Sequence, residues 1–239
     1  MNPQDITIAT ITLARNKGEE TELIAALQQL ALLNMPVIIT DGGSTASFLE
    51  FINSIPHFTV LPYKVGGVWP QAKASLEAAG QTRAPFIFYT EPDKKEFFSK
   101  WLLTMVEETE LTKKSGVVIA SRTAEGFASF PAFQQITETT INTCCSEIIG
   151  KKGDYCYGPF LLNQGLVPYL DAVKEDIGWG WRPFVFGMSH RLGYTVQAFE
   201  KNFFCPPQQR ADDSKERIYR MKQLEQNIRG LVLATTTEL

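Results

Sequence analysis

Phe86-Ile87-Phe88-Tyr89-Thr90 runs directly into Glu91-Pro92-Asp93. The apolar, aromatic run predicts a buried strand, because such side chains pack well on a pleated surface. It stops in two carboxylates with one residue between them, and Pro92 stiffens the turn and supplies no backbone donor. In an open parallel sheet, ligands bind beyond the carboxyl ends of the strands. Two acids there suit a hard divalent cation, Mg²⁺ or Mn²⁺, that carries phosphate oxygens. The competing reading is an acidic turn that opens the next helix, where carboxylates are favoured.

On either side of this strand the pattern alternates. Ile6 to Leu13, Pro36 to Thr40, Phe58 to Leu61 and Val117 to Ser121 read as further strands. Between them, helical spacing is expected over Glu19 to Leu33, Ser47 to Asn53, Trp69 to Ala79 and Lys95 to Glu108. In the last of these, Phe97, Phe98, Trp101, Leu102 and Met105 face inward. Such β-α-β-α alternation predicts a mostly parallel sheet with helices on both faces. After Ser121 the rhythm changes to a long helix from Ala132 to Ile149, a mixed segment around Phe160-Leu161-Leu162, a helix over Arg182 to Arg191, and a strand over Tyr194 to Phe199. The last helix, Ser214 to Ala234, opens on Asp213 with Glu216 three residues on, resembling a capping box. Its stripe of Ile218, Met221, Leu224, Ile228 and Leu231 calls for a cover, either the domain itself or a second subunit, so a homodimer through this helix is possible. The simplest division is one α/β domain over residues 1–205, with 206–239 as its helical extension.

The 239 residues are 44% hydrophobic, enough for one large core or two small ones. A net charge of -3 gives no basic footprint, which disfavours a nucleic-acid partner. No apolar stretch approaches the roughly 18 residues of a membrane span, and the first residues do not form a signal peptide. Cys144, Cys145, Cys156 and Cys205 lack CxxC spacing and read as reduced packing thiols in a cytoplasmic protein.

Two further features fall at strand or element ends. Thr40-Asp41-Gly42-Gly43-Ser44 combines an acceptor carboxylate with glycines that permit a tight turn and close approach of a ligand to the backbone. An ordinary β-to-α turn has the same composition. Glu175-Asp176 precedes Gly178-Trp179-Gly180-Trp181-Arg182, in which two indoles could form a sugar platform or pack in the core.

The order of these features resembles the GT-A glycosyltransferases, in particular the family 2-like group, over roughly residues 5 to 200. Thr10-Ile11-Thr12-Leu13-Ala14-Arg15-Asn16 matches the opening strand and nucleotide loop. Val37 to Ser44 matches the strand that ends in an Asp-Gly-Ser turn, and Ala72-Lys73-Ala74 sits where that family carries Ala-Arg-Asn. Glu91-Pro92-Asp93 stands in place of its Asp-x-Asp metal motif, with Glu as the first acid. Lys174-Glu175-Asp176 matches its later Glu-Asp pair.

The resemblance implies a non-processive, metal-dependent transfer from a nucleotide-diphosphate sugar donor to a hydroxyl acceptor. It places Thr12, Ala14, Arg15, Asp41, Gly42, Lys73, Glu91, Trp181 and Arg182 around the nucleotide sugar. Asp93, Glu91 and His190 become the ligands of Mn²⁺ or Mg²⁺. Asp176 becomes the base of an inverting reaction, with Glu175 beside it. A nucleotidyltransferase, or a nucleotide-sugar-binding scaffold without turnover, are the alternatives.

Overall fold

The computed structural model describes residues 5–62 and 66–238. In chain order the elements begin with β1 (Ile6–Thr12), α1 (Lys17–Ala31), β2 (Val37–Asp41), α2 (Ala46–Asn53) and β3 (Phe58–Pro62). They continue with α3 (Val68–Gly80), β4 (Phe86–Tyr89), α4 (Lys95–Lys100), α5 (Leu102–Glu108) and β5 (Ser115–Arg122). Then come α6 (Ala124–Ala128), α7 (Ala132–Ile149), β6 (Phe160–Asn163), α8 (Trp181–Arg191), β7 (Thr195–Lys201) and α9 (Ser214–Thr236). The chain divides into two compact units, Met1–Thr112 with Pro159–Val167, and Lys113–Gly158 with Pro168–Leu239.

The first unit is a mostly parallel sheet in the order β3-β2-β1-β4-β6. The central strand β1 pairs in parallel with β2 on one side and β4 on the other. All seven residues of β1 are buried. Successive side chains of a strand point to opposite faces, so both faces of the sheet are covered, as a parallel sheet requires. β3 continues the parallel order beyond β2. β6, which lies in the mixed segment of the sequence, pairs antiparallel with β4, Tyr89 opposite Phe160.

The expected Lys95 to Glu108 helix is broken at Trp101, whose φ of -119° departs from the regular helical value of about -63°. Of the residues expected to face inward, Phe97, Phe98, Leu102 and Met105 are buried and Trp101 is half-buried.

In the second unit β5 and β7 pair in parallel, and α9 packs on both α7 and α8. The face α9 buries follows the expected stripe only toward its C-terminal end, with Leu231 buried and Leu224 and Ile228 half-buried. Asn227, Gly230, Leu231 and Ala234 are buried, whereas Ile218 and Met221 are 51% and 49% exposed. Small residues let the backbones close up: a Cβ on Gly187 would lie 2.8 Å from the Ala234 Cβ. Arg191 at the end of α8 donates to the carbonyl oxygens of Ala234 and Thr237 and satisfies the last turn of α9. Asp213 caps the other end by accepting from the Glu216 amide at 2.9 Å.

All four cysteines are free thiols. Burial pushes the Cys145 thiol up to about 12 and the Cys156 thiol well above its ordinary value, so both pack as unreactive thiols. No described helix is long and apolar enough to cross a membrane.

Candidate functional site

In the first unit β1, β2 and β3 follow one another outward, and the chain then crosses to the other side of β1 to form β4. The strand order therefore reverses between β1 and β4. Beyond the carboxyl ends of such a pair lies the crevice in which open α/β sheets bind their ligands. Thr12 and Asp41 are direct neighbours in the β1–β2 register. Glu91 follows the last residues of β4, where the Thr90 amide donates to the Ala9 carbonyl. The Asp41 turn and the Glu91-Pro92-Asp93 turn thus flank the end of β1.

Asp41 is 5% exposed, and each carboxylate oxygen accepts two hydrogen bonds. One oxygen takes the amides of Gly43 and Ser44 at 2.9 and 2.8 Å. The other takes the hydroxyls of Thr12 and Ser44 at 2.7 and 2.5 Å. Ser44 Oγ accepts in turn from the Ala14 amide at 2.7 Å. A buried carboxylate survives because these donors replace water. Its acceptor positions are filled from within, so in this arrangement Asp41 shapes the turn that carries Ala14, Gly42 and Gly43. Gly43 has φ +104°, open to glycine. Gly42 lies under the Gln71 side chain, 2.8 Å from where its Cβ would be.

Asp41→Ala should therefore act on folding. It strands two hydroxyls and two amides, at a cost of about 1–3 kcal/mol for a buried unsatisfied group. The urea midpoint of the unliganded protein should fall by that amount. An unchanged midpoint would show that water replaces the carboxylate freely.

Of the cations expected around the nucleotide sugar, Arg15 and Lys73 are both engaged by nearby glutamates. Arg15 forks onto Glu19 at 2.9 and 3.1 Å, and Lys73 pairs with Glu77 at 3.5 Å. Glu91 is half-buried and Asp93 exposed. The turn they occupy is closed by the Lys95 amide donating to the Asp93 carbonyl at 2.9 Å. Nearby Glu20, unremarkable in the sequence, is 3% exposed and joins α1 to α2 through Lys17, Thr45 and Ser47.

The second unit holds the remaining candidates. Asp176 is exposed, and its Oδ1 accepts from the Gly178 amide at 2.8 Å. Glu175 is paired with Arg229 of α9. Trp181 is fully buried, so it is a core residue and not the sugar platform expected of it. Trp179 keeps a partly exposed indole, with the Arg182 guanidinium 4.9 Å from its ring centre. Arg182 itself is 7% exposed. His190 is exposed in the last turn of α8. Among the described residues no three His, Cys, Asp or Glu side chains gather as a metal-ligand cluster.

Sequence reasoning missed a buried cluster of charges in the second unit. Arg122, at the end of β5, donates to Asp154 at 2.6 and 2.9 Å and to Glu138 at 2.5 Å. All three are buried. The guanidinium also lies 4.7 and 4.3 Å from the ring centres of Phe127 and Phe130. Burial acts to raise the Asp154 carboxyl, but the Arg122 charge and hydrogen bonds outweigh it and hold it below the ordinary carboxylate range. The only sequence signal was an arginine ending an apolar strand. Its partners lie 16 and 32 residues away, with no spacing to mark them.

The sheet order, the alternation and the ligand crevice at the end of β1 are those of the GT-A glycosyltransferase fold. Crystal structures of glucosyl-3-phosphoglycerate synthase from Mycobacterium tuberculosis share it. The structure of that protein with Mn²⁺, UDP-glucose and phosphoglyceric acid aligns at a TM-score of 0.64 with 13% sequence identity, covering 98% of this chain and 80% of that one. A structure described without ligands gives 0.64 and 14%, with 98% and 82% coverage. The complex with Mn²⁺, UDP and glucosyl-3-phosphoglycerate gives 0.60 and 12%, with 98% and 81%. The sequence matches no protein-family model and no curated protein.

Proposed function

We propose that the protein is a metal-dependent glycosyltransferase that moves a sugar from a nucleoside-diphosphate sugar to a hydroxyl acceptor. The observation that carries this reading is the pair of turns flanking the end of β1, one built on Thr12, Asp41 and Ser44, the other holding Glu91 and Asp93. The similarity to structures that contain Mn²⁺ with UDP-glucose supports it.

In this reading Thr12, Ala14, Asp41 and Gly42 form the floor on which the nucleoside lies, through backbone groups more than through the occupied Asp41 carboxylate. Arg15 and Lys73 reach the phosphates by exchanging their present glutamate partners. Glu91 and Asp93 fit a Mn²⁺ or Mg²⁺ ion as a two-carboxylate set of hard oxygen donors that leaves positions for diphosphate oxygens. When bound, the cation offsets charge on the departing nucleoside diphosphate. Asp176 takes the acceptor proton in an inverting transfer, and Trp179 and Arg182 border its loop.

Thermal unfolding with UDP and UDP-glucose, with and without Mn²⁺, tests the assignment. A ligand at about 100 times its dissociation constant adds about 2.7 kcal/mol. The Mn²⁺-dependent part of that gain should vanish in Asp93→Asn while the unliganded midpoint stays unchanged. The same Mn²⁺-dependent gain in Asp93→Asn would remove Asp93 as the ligand. Binding without release of nucleoside diphosphate would favour a scaffold over a transferase.

A further inference from the structure

The segment Glu175–Gly180 has no regular secondary structure beyond one short 3₁₀ turn, Gly178–Gly180, and that turn packs against α9. The Trp179 amide donates to Gln226 Oε1 at 3.2 Å. The Trp179 indole N–H donates to the Tyr219 hydroxyl at 3.1 Å. Glu175 is ion-paired with Arg229.

The two backbones meet where neither carries a side chain. A Cβ on Gly230 would lie 1.8 Å from the Gly180 carbonyl oxygen, and one on Gly180 would lie 2.0 Å from that of Gln226. Gly178, at φ +52°, sits under the Gln226 side chain and donates its own amide to Asp176. The geometry of Asp176 is therefore copied from α9 through two adjacent contacts. Gln226 holds the Trp179 amide, and the neighbouring Gly178 amide holds the carboxylate.

We propose that α9 belongs to the catalytic apparatus and is not an accessory extension, with Gln226 and Arg229 as positioning residues for the Asp176 carboxylate. The proposal rests on Asp176 being the base. A static loop on a rigid helix is what such a base needs, because a displacement of about 1 Å at the reacting groups can cost about 10²-fold in rate.

Gln226→Leu keeps the bulk over Gly178 and removes the acceptor, whereas Gln226→Glu restores an acceptor for the Trp179 amide. Amide hydrogen exchange over residues 174–181 reads the loop without any substrate. In Gln226→Leu, exchange there should rise about tenfold, the equivalent of one lost hydrogen bond, with β1, β2 and β4 unaffected. Mn²⁺-dependent release of UDP from UDP-glucose should lose about tenfold in kcat with KM for the donor unchanged. Gln226→Glu should recover both, and Arg229→Gln should show the same kcat-selective loss.

Unchanged exchange in Gln226→Leu would overturn the proposal. So would loosened exchange with unchanged kcat, which would leave the contact merely structural. If the unsubstituted protein releases no UDP while the exchange results hold, the transferase reading fails and the dependence of the loop on α9 stands.

Discussion

Arg122→Met should destabilise the protein by about 3–5 kcal/mol, the cost of leaving buried carboxylates without their counter-charge. That is a large share of a typical folding free energy of about 5–15 kcal/mol. Met keeps an unbranched apolar side chain but removes the guanidinium that lies over Phe127 and Phe130 and donates to Asp154 and Glu138.

The pH dependence should change sign with the substitution. In the unsubstituted protein the folded pKa of Asp154 is depressed, with Arg122 overcoming burial. Its contribution is complete above the unfolded carboxylate value of about 3.9, and is lost as pH falls through the lower folded value. In Arg122→Met the same carboxylate is buried without a cation, so its folded pKa rises above the unfolded one. The variant then carries a penalty at neutral pH that acidification relieves by protonating Asp154. Urea midpoints measured from pH 7 down to pH 4 should therefore converge for the two proteins. Parallel curves, or a neutral-pH difference below about 1 kcal/mol, would show that the cluster contributes little more than packing.

Asp176→Asn should lower turnover by about 10²–10⁴-fold, the range of a lost general base, with donor affinity nearly unchanged. The substitution is well controlled by the local geometry. The Asn Oδ1 can still accept from the Gly178 amide, so the turn persists while the basic oxygen is removed. Glu175 is the comparison: it is exposed and already paired with Arg229, so Glu175→Gln should act through the loop and cost far less. A larger loss for Glu175→Gln would transfer the base to Glu175. Retention of the anomeric configuration in the product would remove the need for a base on that face.

Much of the fold was legible along the chain. Hydrophobic runs ending in turn residues located β1, β2, β3 and β4. Helical spacing located α1, α2 and α3 to within a few residues, because strand and helix periodicities are local properties. β6 was not legible: a four-residue apolar strand has the same composition in parallel or antiparallel pairing, and only its partner sets the direction. The break at Trp101 left no Gly or Pro to mark it.

At the candidate site, the Asp41 and Glu91-Pro92-Asp93 turns were visible because acids and glycines at strand ends are conspicuous in sequence. What those acids do with their lone pairs was not. Asp41 is filled by donors from Gly43 and Ser44 of its own turn and from Thr12, which the β1–β2 register sets beside it. Trp181 could be read as platform or core, since an indole serves either role, and burial decided for the core.

By itself the sequence determined most of the strands and helices of the first unit, and which strand ends carry charge, because both depend on residues close together in the chain. Tertiary structure alone decided that Arg122 meets Glu138 and Asp154, and that Gly230 admits Gly180 against α9. These contacts join residues far apart in sequence. A charge or a missing side chain does not reveal its partner until the backbones that carry them have packed together.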